Sequence, residues 1–205
     1  MTKTLYLIGR EFREESGSYS KFFKEVSRYA KERGYKICIL VGKHSDIDEV
    51  AEIMHNNTFI LRFPINTRTI PILGSNLHYL RLVRWVSATL KVTNYNPEKD
   101  IIICNHLACL GLVNIEIKGK KVKYGLRIGQ PADIKLKAHR IANEQLSMIT
   151  KMARFFHLKI QKHLEAVAIK EADIFLFPSE ETKDFVFSEY LIKKPYIIPY
   201  SGVEM

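Results

Sequence analysis

Residues 3–9 read Lys-Thr-Leu-Tyr-Leu-Ile-Gly, and residues 35–41 read Tyr-Lys-Ile-Cys-Ile-Leu-Val. Each is a short apolar run, and Gly9 closes the first. Short apolar runs rich in branched and aromatic residues predict buried strands. Residues 10–18 between them are charged and small and predict a loop. Tyr19, Phe22, Phe23, Val26, Tyr29 and Ala30 then fall at helical spacing, with polar residues on the other face and Gly34 as a stop. Strand, loop, helix, glycine and strand within about 40 residues predict a βαβ unit, with parallel strands and a right-handed crossover.

The alternation continues outward from this unit. Asp46–His55 predicts a short helix, and Thr58–Phe63 a strand stopped by Pro64. Residues 64–76 predict an irregular connection. Leu77–Val92 predicts a helix with Leu77, Leu80, Val83 or Arg84, Ser87 and Leu90 near one stripe. Asp100–Asn105 is the most apolar short strand and is expected at the centre of the sheet. Leu107–Ile115 predicts a short helix or turn, and Lys121–Ile128 a strand. Residues 132–172 predict a long helical region, breaking near Ser147. Its apolar stripe is Ile149, Met152, Phe156, Ile160, Leu164 and Val167. Asp173–Phe177 and Tyr196–Pro199 predict strands on either side of a helix over Glu180–Tyr190. Ser179 marks that helix's start, with acidic residues in the first turn. The expected fold class is α/β: a doubly wound, mainly parallel, Rossmann-like sheet of seven strands with helices on both faces.

Composition narrows the class. Of 205 residues, 46% are hydrophobic and 11% aromatic, which excludes a disordered chain. Cys38, Cys104 and Cys109 lie in or beside apolar runs without ligand spacing, so they read as reduced core thiols of a cytoplasmic protein rather than a disulfide framework. No run approaches the length of a transmembrane helix, and the first residues resemble a strand more than a signal peptide. The net charge is +10, and residues 118–163 alone hold 12 basic and 2 acidic residues. Such a segment suits nucleic acid, anionic lipid or a phosphorylated ligand, or an ordinary solvated face. A positive surface is expected there. Lys151, Arg154 and Lys162 border the apolar stripe, and Phe155 beside it is a candidate interfacial anchor. The chain carries no aromatic pair typical of RNA readers and no zinc-finger spacing, so nucleic acid is not the expected partner.

Open parallel sheets bind ligands outside the carboxyl ends of their strands. The residues that follow the expected strands are therefore the candidates: Arg10, Gly17 and Ser18; Asn105 and His106; Arg127, Gly129 and Gln130; Ser179 and Glu180. No dinucleotide fingerprint, P-loop, nucleophile elbow or zinc pattern is present. Ser16-Gly17-Ser18 before a helix could hold a phosphate or sugar hydroxyl on backbone N–H groups, or could simply be a capped turn. Asn105-His106 breaks a buried run at its ligand-facing end; a polar group there must be hydrogen-bonded or exposed. Asn105 as a helix cap is the structural alternative. Arg127 at a buried strand end can take a phosphate or carboxylate bidentately, or make an internal salt bridge.

The order of these features resembles the N-terminal half of a family 4 glycosyltransferase of the two-domain GT-B fold. The clearest part is Glu165–Glu204: a helix ending in Ala172-Asp173, the strand Ile174-Phe175-Leu176-Phe177, Ser179, a helix, and Ile198-Pro199-Tyr200-Ser201-Gly202-Val203-Glu204. The resemblance implies a retaining transfer of a sugar from a nucleotide-sugar to a carbohydrate or lipid-linked acceptor hydroxyl. It implies no cofactor and no metal. It assigns catalytic roles to His106 at the acceptor side and to Arg127, which stands where the family commonly has a histidine. It gives substrate contacts to Gly17, Ser18, Asn105, Gly129, Ser179 and Glu180. Residues 1–199 then form the acceptor-side domain, and 200–205 open the linker to a C-terminal donor-binding domain outside this chain. On that reading the chain alone is expected to be inactive. Cytoplasmic location with peripheral attachment to an anionic membrane is the matching expectation. The rivals are a non-catalytic α/β binding or regulatory protein and a basic nucleic-acid-binding domain.

Overall fold

The computed structural model describes residues 3–10, 12, 18–42, 51–54, 58–63, 74–129 and 147–199. The described residues form ten strands: β1 (Thr4–Ile8), β2 (Lys36–Gly42), β3 (Ala51–Met54), β4 (Thr58–Phe63), β5 (Ile101–Asn105), β6 (Glu116–Ile117), β7 (Lys120–Lys121), β8 (Gly125–Arg127), β9 (Ile174–Leu176) and β10 (Tyr196–Ile197). The helices are α1 (Ser18–Glu32), α2 (Gly74–Val92), α3 (Met148–Glu171) and α4 (Glu180–Tyr190), with a 3₁₀ turn at His106–Leu112.

Eight strands form one sheet in the order β10-β9-β8-β5-β1-β2-β4-β3, and every neighbouring pair is parallel except β3 with β4. The expected doubly wound sheet is present, with one strand more than the sequence reading gave. The extra strand is Ala51–Met54, where a helix is expected; it pairs antiparallel with β4, Ala51 opposite Leu61 and Met54 opposite Thr58. Edge pairing with β4 overrides the helical pattern at these four of the ten residues expected to be helical. The other residues of the expected 46–55 helix lie outside the described residues. Lys121–Ile128 is likewise not one strand. Lys120–Lys121 joins Glu116–Ile117 in a separate hairpin, and only Gly125–Arg127 enters the main sheet. α2 begins three residues before the expected Leu77.

The central strands are apolar on both sides because both sides are covered. In β1, Tyr6 and Ile8 face one core while Leu5 and Leu7 face the other; in β2, Cys38 and Leu40 separate from Ile37, Ile39 and Val41 in the same way. This is the period of two that strands impose. α1 seals the second core with Phe22, Phe23 and Ala30. α2, the 3₁₀ turn, α3 and α4 seal the first with Leu82, Val86, Leu90, Leu112, Ile169 and Val186, among others. Each fully buried side chain of this size is worth about 1.5–3 kcal/mol.

The ends of the elements follow their sequences. Gly34 takes φ +78 after α1, a conformation that costs glycine nothing. Ser179 caps α4, accepting from the Thr182 N–H at 3.3 Å. At the end of α3, Lys194 Nζ donates to the carbonyls of Ile169, Lys170 and Ala172 at 3.3, 2.5 and 2.7 Å. A cation there satisfies orphan carbonyls and meets the negative end of the helix dipole.

The apolar stripe expected to seat α3 does not do so in its first half. Met152, Phe156 and Ile160 are 53%, 56% and 44% exposed. The buried face runs Leu158, Gln161, Glu165, Ala168 and Ile169 instead. The helix is rotated toward a face that contains an amide and a carboxylate, and the carboxylate, Glu165, meets Tyr190 and His106 there.

Candidate functional site at the switch point of the sheet

The strand order reverses at β1, which has β2 on one side and β5 on the other. Two elements leaving in opposite directions open a crevice at the carboxyl ends, and α1, β5 and β8 deliver side chains there.

Asn105 ends β5 opposite Arg127, the last residue of β8. Asn105 is 5% exposed, and its side chain does not cap the 3₁₀ turn that follows. Its Oδ1 accepts from Arg127 Nη1 at 3.3 Å. The Arg127 guanidinium also lies over the ring of Phe22, 4.7 Å from its centroid. A planar cation held between an amide oxygen and an aromatic face is oriented as well as charged. Gly129 makes room for it: a Cβ at that position would stand 3.3 Å from Arg127 Nη1. Asn105, Arg127 and Gly129, read separately from the sequence, are thus one cluster, and Phe22 belongs to it.

His106 follows at φ +50. A non-glycine residue in the left-handed region costs about 1–2 kcal/mol, and such strain concentrates at working sites. Cys109 Sγ donates to the His106 carbonyl at 3.2 Å, which helps hold the turn. The imidazole meets α3: Nε2 lies 3.3 Å from Oε1 of Glu165, with side-chain exposures of 11% and 2%. Tyr190 Oη at the end of α4 donates to the other carboxylate oxygen at 3.1 Å. Glu165 and Tyr190 are absent from the sequence-level candidates. The signal that could have found Glu165 is a carboxylate within the helical repeat Leu158, Gln161, Glu165, Ala168, where an apolar residue is the ordinary choice.

Gly17 lies outside the described residues, as does Gln130; Ser18 opens α1, and its side chain is not described. Ser179 and Glu180 are at the start of α4, where Ser179 serves as the cap and the exposed Glu180 pairs with Lys183 at 2.5 Å. These contacts account for both residues without a ligand. The basic segment is partly neutralised: Lys120 pairs with Glu98, Lys121 with Glu171 at 2.7 Å, and Lys162 with Glu189 at 2.6 Å. Residues 130–146 of that segment lie outside the described residues. Among the described residues no group of three or more His, Cys, Asp or Glu could hold a metal, and no helix is long and apolar enough to cross a membrane.

Burial pushes the Cys38 and Cys109 thiols up to about 12 and the Cys104 thiol well above its ordinary value. All three cysteines are free and buried. They are packing residues rather than nucleophiles.

No family model and no curated protein matches the sequence. Solved structures do match. Sucrose-phosphate synthase from Thermosynechococcus elongatus superposes with a TM-score of 0.65 at 10% identity, over 95% of this chain and 47% of that one. Phytolacca americana UGT2, solved with UDP-2fluoro-glucose and pterostilbene, gives 0.58 at 9% identity over 97% and 54%. An α,α-trehalose-phosphate synthase (UDP-forming) from Burkholderia vietnamiensis gives 0.51 at 15% identity over 93% and 44%. What these proteins share with this chain is a fold. It is the Rossmann-like fold of GT-B glycosyltransferases, and the chain spans about half the length of each of these neighbours.

Proposed function

We propose that this chain is the acceptor-side, N-terminal domain of a retaining family 4 glycosyltransferase, of hexosyltransferase type, that moves a sugar from a nucleotide-sugar to an acceptor hydroxyl. The observation that carries the reading is the Phe22–Arg127–Asn105 arrangement at the switch point of a glycosyltransferase-like fold. Glycosyl transfer leaves negative charge on the departing diphosphate. An oriented guanidinium is suited to that charge because it is fixed before the charge develops. Backbone N–H groups at the start of α1, around Gly17 and Ser18, would add donors to the same anion. His106 would hold the acceptor hydroxyl. No cofactor or metal is assigned to the step. Because the chain matches about half of each neighbour, we assign the rest of the donor site to a second domain.

Titration calorimetry with nucleotide-sugars tests this. The chain by itself should bind at millimolar level, about −4 kcal/mol, without turnover, and Arg127→Ala should abolish the binding. Micromolar affinity with turnover would contradict the half-site, and unchanged binding by Arg127→Ala would contradict the role of the guanidinium.

A lipid-linked acceptor and peripheral membrane attachment are supported by one observation. Met148, Met152, Phe155, Phe156 and Ile160 leave an exposed apolar stretch on the first half of α3, and Lys159 lies over the Phe155 ring, 5.3 Å from its centroid. Aromatic and thioether side chains beside a lysine suit the headgroup boundary of an anionic leaflet. Sedimentation with vesicles should show binding that rises with anionic lipid and collapses at high salt. Equal sedimentation with neutral and anionic vesicles would contradict it.

A further inference from the structure

We propose that Asn105 is a specificity-determining residue of the switch-point crevice: Arg127 turns its amide so that the Nδ2 hydrogens face the crevice, where they donate to a phosphoryl oxygen. The inference rests on the function proposed above only in taking that phosphoryl group to be the diphosphate of a nucleotide-sugar.

The argument begins with placement. Side chains two residues apart on a strand share a face. Ile103 packs against the core that α1 seals, so Asn105 lies on that face as well. Arg127, its partner in the parallel register, reaches Phe22 on the same side, and Leu176, in register with Arg127, belongs to the same core. The two polar side chains therefore end apolar strands beside the first turns of α1, at the carboxyl edge of the sheet.

The hydrogen-bond polarity of the pair follows from its chemistry. A guanidinium offers only N–H groups, whereas an amide accepts at one end and donates at the other. Arg127 Nη1 donates to Asn105 Oδ1 at 3.3 Å. The oxygen end is thereby committed and the nitrogen end points away, because a reversed amide would set N–H against N–H. The side chain does not cap the 3₁₀ turn either. Among the described residues no acceptor takes the Nδ2 hydrogens. Asn105 is 5% exposed, yet Nδ2 is not one of the sealed side-chain atoms, so the small surface that the residue keeps includes the amide nitrogen. Donors on so buried a residue are costly unless something accepts from them.

This wall of the crevice only donates: an amide N–H group stands beside a permanently charged guanidinium. It repels a cation, and it gives the hydrogen of a hydroxyl nothing to bond to. A phosphoryl group carries the matching charge and three acceptor oxygens, enough for the guanidinium and the amide together. Asn105→Asp inverts the polarity almost isosterically. It keeps an acceptor for Arg127, replaces the N–H group by a second acceptor, and neutralises the guanidinium charge.

Side-chain amide NMR of the full 205-residue chain tests this with sodium pyrophosphate as the probe and sodium chloride at matched ionic strength as the control. The Asn105 Nδ2 signals are assigned through the residue's own Cβ protons. The expected result is a saturable downfield movement of an Asn105 Nδ2 proton with pyrophosphate and none with chloride, and binding at least about tenfold weaker in Asn105→Asp. Pyrophosphate shifts that leave the Nδ2 signals unmoved, no pyrophosphate shifts at all, or the same movement with chloride would overturn the proposal whether or not the variant folds. A folded Asn105→Asp that binds pyrophosphate as well as the wild type overturns it too. Pyrophosphate bound through Nδ2 without any binding of UDP-glucose would uphold the assignment of Asn105 and count against the proposed function alone.

Discussion

Among the described glycines, Gly111 is the position at which a single methyl group should do the most damage for its size. It lies in the 3₁₀ turn that begins at His106, and α2 packs across it. A Cβ at Gly111 would stand 2.6 Å from the Val83 carbonyl oxygen, 3.0 Å from its Cα and 3.2 Å from its carbonyl carbon. All three are backbone atoms, so no side chain can rotate away. Relief requires α2 to move off the turn by several tenths of an ångström, and α2 carries the fully buried Leu82, Val86 and Leu90. Overpacking of this kind costs about 1–3 kcal/mol. With a urea slope of about 2 kcal/mol per molar, Gly111→Ala should lower the unfolding midpoint by roughly 0.5–1.5 M. Circular dichroism at increasing urea measures it. A midpoint equal to that of the wild type would refute the close approach of α2 to the turn, and with it the rigid seat assigned to His106.

Other consequences can be measured independently. Ser179→Ala should destabilise the chain by about 0.5–2 kcal/mol through loss of the α4 cap, read as a lower urea midpoint; no change would mean that α4 begins without it. Lys194→Met should cost about 1 kcal/mol by freeing the carbonyls that close α3, again read by urea unfolding. The thiols should be inert to a disulfide reagent in the folded protein at pH 8 and react fully in denaturant, since burial holds the Cys38 and Cys109 thiols up to about 12. For these two groups the folded value lies above the unfolded value of about 8.5, so their contribution to stability is complete below about pH 8.5 and is lost as pH rises toward 12. Rapid labelling of the native chain would contradict the placement of the cysteines.

The parts of the fold that were legible in the sequence are those fixed by local chemistry. The runs at Thr4–Ile8 and Lys36–Gly42 and the α1 pattern between them define the first crossover, and Ser179 and Gly34 mark helix ends by their own side chain or lack of one. What escaped was set by distant partners. Ala51–Met54 is a strand because β4 offers it an edge, and nothing in four residues announces that. The rotation of α3 was hidden because Met152, Phe156 and Ile160 make the better apolar stripe, while the buried face includes Gln161 and Glu165. The same applies to the site. Asn105, His106 and Arg127 were readable as polar residues ending apolar runs. Their partners Phe22, Glu165 and Tyr190 come from three helices, and no sequence spacing links them.

The most direct test of the account is to map nucleotide-sugar binding onto the chain by amide NMR, with UDP-glucose as probe and Arg127→Ala as the control. Weak, saturable shifts confined to the start of α1, residues 105–106 and residues 127–129, all lost in Arg127→Ala, are the predicted result. Shifts centred elsewhere, or a map unchanged by Arg127→Ala, would contradict a diphosphate site at the switch point of the sheet.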